Sequence, residues 1–124
     1  MKFHYSPGVL PFVDITLTHE DHVISRSALV DSGSTINVLP YEDGLELGLS
    51  WQRQHVPLKD EGFLQGSPAY GVLLTAQIAS FPAIKLAFAW TQKSRKEVRL
   101  ILGQTNFFEY FEITFRGCEK TFNI

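Results

Sequence analysis

Cysteine is almost absent from this chain, which has one, Cys118, in 124 residues. A single cysteine cannot form a disulfide within the chain, and this excludes a disulfide-stabilised scaffold and favours a reducing compartment. A cysteine protease would also need a histidine beside the thiol, and no motif marks any of the four histidines for that role.

Long apolar runs are also missing. No run approaches the roughly 20 residues that a membrane-spanning helix needs. Residues 1–10 (MKFHYSPGVL) lack the apolar core of a signal peptide, so no secretory leader is expected. Together with the single cysteine, these absences predict a cytoplasmic protein without a membrane partner.

Charge of one sign is not in excess, since the formal net charge is -2. This balance offers no electrostatic reason to expect a nucleic-acid partner. Four basic residues do cluster between two strand-like segments, and the pattern favours a solvated loop; they are Lys93, Arg95, Lys96 and Arg99.

Histidine and acidic residues do not form a convincing metal motif. His19 and His22 flank Glu20 and Asp21, a pattern more typical of a polar turn than of a ligand set. We therefore expect neither a metal nor another cofactor.

The composition suits one compact domain spanning residues 1–124. Hydrophobic residues make up 44% of the chain, which is enough for a single core. The chain also has ten phenylalanines. The aromatic group Phe107, Phe108, Tyr110 and Phe111 is interpreted as core packing rather than a binding platform.

Most of the chain predicts β-strands, because short apolar segments are separated by Gly, Pro and polar turns. The expected strands cover residues 12–18, 23–30, 36–39, 51–58, 72–78, 84–90, 111–115 and 120–124. Pro40 can begin a helical turn over residues 41–47 that Gly48 ends, and a second short helix is expected at residues 104–110. The fold class predicted is all-β, a small closed β-barrel with one short C-terminal helix.

The most informative segment is residues 28–40 (ALVDSGSTINVLP), in which an Asp-Ser-Gly loop separates two apolar strands. Asp31 supplies a carboxylate, and Ser32 supplies a hydroxyl that can lock the loop. Gly33 lets the backbone approach a substrate because it has no Cβ. An ordinary turn would also account for these residue types, so the context has to decide.

That context is residues 98–111 (VRLILGQTNFFEYF), where an apolar strand reaches a glycine before a short helix. The two segments together resemble the retroviral-type aspartic proteases (retropepsins), in particular the single-domain type of bacteria. The resemblance covers roughly residues 11–115. It implies that Asp31 is catalytic, that Ser32, Gly33, Ser34 and Thr35 form the active-site loop, and that the loop is supported by Ile101, Leu102 and Gly103.

The resemblance also implies a flap, a hairpin that covers the substrate. The glycine-rich residues 62–74 (GFLQGSPAYGVLL) lie where such proteases carry it. The expected flap and substrate-binding residues are Phe63, Leu64, Gln65, Gly66, Ala69 and Tyr70.

Acid–base hydrolysis by carboxylates needs two of them, and the chain offers one candidate loop. The other aspartates lie in segments without an Asp-[Ser/Thr]-Gly loop; they are Asp14, Asp21, Asp43 and Asp60. A second Asp31 must therefore come from a second chain, which predicts a homodimer. The expected function is an aspartic endopeptidase acting on peptide or protein substrates. A non-catalytic dimerisation or peptide-binding module with the same fold is the alternative, and a structural β-domain is a third.

Ser34 invites two interpretations. Its hydroxyl can donate to the ionised Asp31 carboxylate, which would favour the charged form and move the activity optimum toward acid. Alternatively, the hydroxyl caps the local backbone, as serine side chains often do.

Overall fold

The computed structural model describes residues 1–58 and 67–124, and it is mostly β, with 42% strand and 11% helix. Within those ranges the chain forms ten strands, two α-helices and one 3₁₀ helix. In order they are β1 (Lys2–His4), β2 (Phe12–His19), β3 (His22–Val30), β4 (Val38–Leu39), α1 (Tyr41–Glu46), the 3₁₀ helix (Trp51–Arg53), β5 (Pro57–Leu58), β6 (Ala69–Gln77), β7 (Ile84–Thr91), β8 (Ile101–Leu102), α2 (Phe107–Tyr110), β9 (Thr114–Arg116) and β10 (Thr121–Asn123).

Six strands close into a barrel, in the order β2, β3, β8, β4, β7, β6 and back to β2. The hairpins β2–β3 and β6–β7 are antiparallel, and antiparallel pairing of β2 with β6 closes the ring. Strand β5 adds to the outer part of β6. The predicted closed β-barrel is confirmed, and full closure removes the unpaired edges that an open sheet would expose.

Alternation of apolar and polar residues explains why these strands fill the barrel. In β2, Val13, Ile15 and Leu17 are buried, and β6 and β7 point alternate residues inward in the same way. The largest of the fully buried side chains are Trp90, Phe88, Phe107 and Phe122. Phe107 belongs to the aromatic group that was interpreted as core, and the structure confirms that interpretation for this residue.

Strand β8 lies between two strands that are adjacent in sequence, β3 and β4. It pairs parallel with β3, with Leu29 opposite Ile101, and antiparallel with β4, with Val38 opposite Ile101. The chain therefore leaves β3 and returns through β4 on the other side of β8. Residues 31–37 connect the two strands and must pass over the end of β8.

The chain ends form a second sheet of three antiparallel strands, in the order β1, β10, β9. Phe122 in its central strand stacks on Phe3, with ring centroids 5.3 Å apart, and Phe115 packs 6.1 Å away. The β9–β10 hairpin about Gly117 agrees with the prediction. Strand β1 was not predicted, because three residues are too short for a clear alternation.

Two sequence expectations are corrected. Residues 51–58 were expected to form one strand, but Trp51–Arg53 is a 3₁₀ helix and only Pro57–Leu58 is a strand. Trp51 packs its ring 5.0 Å from that of Trp90, so a tertiary aromatic contact overrides the local strand propensity. The helix expected at residues 104–110 begins later, at Phe107, because the N–H groups of residues 104 and 105 donate to carbonyl groups of residues 34 and 35.

Candidate active site

Asp31 lies directly after β3, at the end of the barrel where β8 also ends. Its main-chain N–H donates to the carbonyl oxygen of Leu102 over 2.9 Å and so extends the β3–β8 ladder by one residue. Its side chain accepts a hydrogen bond from the N–H of Gly33, 2.9 Å from Oδ1. This short turn orients the carboxylate and leaves the side chain half-buried rather than sealed in the core.

The loop after Asp31 is clamped by the segment that follows β8. Gln104 holds it at two points: its Nε2 donates to the carbonyl of Ser32 and its main-chain N–H donates to that of Ser34, both over 2.8 Å. The N–H of Thr105 donates to the carbonyl of Thr35 over 2.9 Å. Three carbonyl groups of the loop thus receive support from two residues, which restricts movement of the backbone that carries Asp31.

Gly103 is needed at the crossing of these two segments. A Cβ at this position would press against the carbonyl oxygen of Ile36 and lie 2.8 Å from that of Ser34. Real Cβ atoms do not approach backbone atoms so closely, so only glycine fits without a shift of the loop. The predicted supporting residues Ile101, Leu102 and Gly103 therefore do contact the loop segment or the strands that flank it.

Asn37 completes the support, and the sequence analysis missed it. Its Nδ2 donates to the carbonyl of Ala87 over 2.9 Å, and its Oδ1 accepts from the N–H of Gly103 over 2.8 Å. The residue is 1% exposed; its bond to Gly103 is buried and its bond to Ala87 is part-buried. A polar residue in the apolar run of residues 36–39 was the signal that could have identified it, because buried amides are kept where they bridge backbone groups.

The structure decides between the two interpretations of Ser34. Its Oγ donates to the carbonyl of Ile36 over 2.7 Å, and the residue is buried. The expected donation to the Asp31 carboxylate is therefore wrong in this structure, and the local backbone cap is what forms. A single hydroxyl proton cannot serve both acceptors at once.

Asp31 faces an open cavity of about 820 Å³. Its apolar lining residues come from β3, β8 and the chain before β8. The polar ones come from the loop that carries Asp31 and from the basic loop between β7 and β8. The lining comprises Leu29, Asp31, Gly33, Ser34, Lys93, Arg95, Lys96, Glu97, Val98, Arg99 and Ile101. The basic cluster, interpreted from sequence as a solvated loop, is largely exposed but stands as one wall of this cavity.

The expected flap is only partly described. Phe63, Leu64, Gln65 and Gly66 lie outside the described residues. Ala69 and Tyr70 begin β6 and pair with Leu58 and Pro57. The strands before and after that segment, β5 and β6, are therefore antiparallel partners.

These two residues do not line the cavity beside Asp31. Ala69 is buried, and the ring of Tyr70 meets that of Trp51 edge-on at 4.8 Å. Their contact with a substrate stays a prediction.

A second, mainly apolar hollow of about 430 Å³ opens beside the loop. Among its lining residues, Ile36 and Asn37 come from the loop. Val56 directly precedes β5, Leu58 belongs to β5 and Leu73 belongs to β6. Leu73, Val56 and Leu58 are exposed apolar side chains. Such a hollow can accept an apolar side chain of a bound molecule.

A cluster of ion pairs holds the basic loop and α1 to the barrel. Arg26 on β3 donates from Nη2 to Glu46 over 2.6 Å and from Nε to Asp43 over 3.0 Å. Arg95 reaches the same Glu46 oxygen over 2.8 Å. The hydrogen bond from Arg26, with the charges of both arginines, holds the pKa of Glu46 below its ordinary value. The hydrogen bond between Arg26 and Glu46 also raises the pKa of Arg26.

Three remaining observations concern metals, membranes and relatives. The part of the chain that the structure describes contains no group of three or more His, Cys, Asp or Glu side chains that could hold a metal ion. None of its helices is long and apolar enough to cross a membrane. No protein-family model matches the chain, and a comparison with curated proteins gives no match either.

Proposed function

We propose that the protein is a homodimeric aspartic endopeptidase of the retropepsin type, which hydrolyses peptide bonds with two Asp31 carboxylates, one from each chain. The observation that carries the proposal is the setting of Asp31. Its carboxylate is oriented by the N–H of Gly33, opens onto a cavity of about 820 Å³, and sits on a loop braced by Gln104 and Asn37. A catalytic carboxylate needs this combination of fixed geometry and access.

In the proposed mechanism the two carboxylates share one proton, because two close carboxylates cannot both ionise at low cost. The ionised member takes a proton from water as the water attacks the peptide carbonyl carbon. The protonated member donates its proton to the carbonyl oxygen, which gives a tetrahedral diol. The other member, which now holds the proton taken from water, protonates the leaving amine as the C–N bond breaks, and a diol hydroxyl returns its proton to the first carboxylate. The hydrogen bond from Gly33 keeps one oxygen of Asp31 oriented.

The partners of other carboxylates near the site, among residues 1–58 and 67–124, support the proposal of a second chain. Asp43 is 2% exposed and bonded to Arg26, so it serves the ion-pair cluster. Glu97 lines the same cavity as Asp31, but it accepts from the N–H of Ser94 over 3.2 Å and lies 4.0 Å from Lys93. Neither lies in an Asp-Ser-Gly turn, so two-fold pairing of Asp31 loops is the simpler source of a dyad.

The alternative is a dimerisation or peptide-binding module without turnover. The apolar hollow lined by Ile36, Val56 and Leu73 favours binding of a peptide side chain whether or not hydrolysis follows. A catalytic role for Asp31 separates the two functions, because a binding module would tolerate its neutral isostere.

The test compares wild type with Asp31→Asn on a library of unstructured peptides. Asn retains an oxygen that can accept from Gly33, so the fold and the dimer should persist, as circular dichroism and sedimentation would check. Hydrolysis should fall by about 10²–10⁴-fold, since the variant cannot act as general base. Pepstatin should inhibit the wild type. Equal turnover by the two proteins would refute the aspartic mechanism, and peptide binding without turnover by either would select the module.

A cytoplasmic location is part of the proposal. Cys118 is exposed and unpaired in the structure. A free surface thiol stays reduced in that compartment.

A further inference from the structure

The cavity beside Asp31 has a divided lining. Leu29, Val98 and Ile101 give it an apolar floor, and all three are buried in one small hydrophobic cluster. The loop between β7 and β8 gives it a basic wall. Among the residues that the structure describes, four cationic side chains line the cavity against two carboxylates, those of Asp31 and Glu97.

Two of the four cations already have acidic partners. Lys93 lies 4.0 Å from Glu97, and Arg95 bonds to Glu46 over 2.8 Å. Arg95 also donates its main-chain N–H to Glu42, so it ties the loop to α1. These ion pairs neutralise the charges of Lys93 and Arg95 and hold the basic loop in place.

The other two, Lys96 and Arg99, have no carboxylate within 4.0 Å among residues 1–58 and 67–124. The guanidinium of Arg99 lies over the ring of Phe12, 5.9 Å from its centroid. That cation–π contact steadies the side chain and leaves its hydrogen-bond donors available. The cavity thus offers two cations with unfilled donor positions above an apolar floor.

We propose that this wall selects peptides with an acidic side chain near the bond that is cleaved. The methylene groups of a glutamate would cover Leu29 or Ile101, while its carboxylate would accept from Lys96 and Arg99. A polyphosphate or nucleic acid fits less well, because Asp31 would repel its several negative charges more strongly than one carboxylate, and the apolar floor would stay uncovered. The cleavage step rests on the proposed function, whereas the preference for an acidic side chain rests on the cavity alone.

The experiment uses peptides that share one parent sequence. At each position in turn, Glu, Gln or Lys replaces the parent residue. Wild type is compared with the double variant Lys96→Gln/Arg99→Gln. The matched control, Lys85→Gln/Arg116→Gln, removes the same charge at residues that do not line the cavity. For wild type and control, kcat/KM should be about three- to ten-fold higher for Glu than for Gln at one position, and lowest for Lys. The double variant should lose this order.

A binding measurement separates this inference from the proposed function. The same peptides are titrated into the full-length Asp31→Asn protein, with and without the double substitution, at low and high salt. Tighter binding of the Glu peptide that disappears with salt or with the double substitution supports the acidic preference even if no peptide is cleaved. Three results would each overturn the acidic preference. They are cleavage without a preference for Glu, a preference that survives in the double variant, and the absence of any preferential binding and cleavage.

Discussion

The side-chain oxygen of Asn37 accepts a hydrogen bond from the main-chain N–H of Gly103 over 2.8 Å, between residues 66 positions apart. Asn37 lies at the end of the loop that carries Asp31, and Gly103 begins the segment that braces it. One buried amide therefore joins the two halves of the candidate site. Its other end reaches Ala87 on β7, so the same side chain connects three parts of the barrel.

Asn37→Ala should lower the free energy of unfolding by about 2–4 kcal/mol. The substitution leaves the buried N–H of Gly103 without a side-chain partner, at about 1–3 kcal/mol, and removes the part-buried bond to Ala87, at about 0.5–1.5 kcal/mol. Urea denaturation followed by tryptophan fluorescence measures the effect. Asn123→Ala, which removes a contact with the exposed Arg116, is the control and should change stability by less than about 0.5 kcal/mol. Equal midpoints for the two variants would mean that Asn37 does not brace the loop.

Gly103→Ala should be destabilising by about 1–3 kcal/mol, because the added methyl group meets the carbonyl oxygens of Ser34 and Ile36. Gly117→Ala is the matched control, since a Cβ there has no heavy atom within 4 Å. Thermal melts of both variants give the comparison. If peptide hydrolysis is detected in wild type, Gly103→Ala should reduce it more than Gly117→Ala does. Similar melting temperatures for both would contradict the close approach.

Activity per chain should fall on dilution below the dimer dissociation constant, because a monomer holds half of the proposed dyad. Sedimentation and activity should then share one midpoint. Glu97→Gln provides the sharpest control, since Glu97 is the other carboxylate that lines the cavity within the described part of the chain. A concentration-independent activity that is lost in Glu97→Gln would indicate a dyad within one chain.

The ion pairs of Glu46 predict a pH dependence of stability. Because Arg26 and Arg95 lower the pKa of this carboxyl, their stabilisation is complete above its ordinary pKa of 4.5 and is lost as the pH falls through the lower native pKa. The stability difference between wild type and Glu46→Gln should therefore be present at pH 6 and shrink in acid. Exposed Glu112 supplies the control variant Glu112→Gln, for which no such trend is expected. A difference that stays constant from neutral pH into acid would show that Glu46 acts by packing alone.

Local sequence patterns are sufficient to predict the barrel class and the position of the candidate carboxylate. Alternation in residues such as Val13, Ile15 and Leu17 specifies which face of a strand is buried, and this information is local. The Asp-Ser-Gly loop is local as well, and in the structure Gly33 turns back to Asp31 within two residues. For the same reason the β9–β10 hairpin about Gly117 could be predicted.

Only the tertiary structure decided how distant segments meet. The roles of Asn37 and Gln104, the glycine requirement at residue 103 and the choice of acceptor by Ser34 depend on which backbone groups lie opposite one another. The 3₁₀ helix at Trp51 depends on Trp90, and the basic wall beside Asp31 depends on the approach of β8 to β3. A local pattern tells which side chains are buried or polar, but the partner of a hydrogen bond or ion pair is set by strand order and register, which arise when the whole barrel closes.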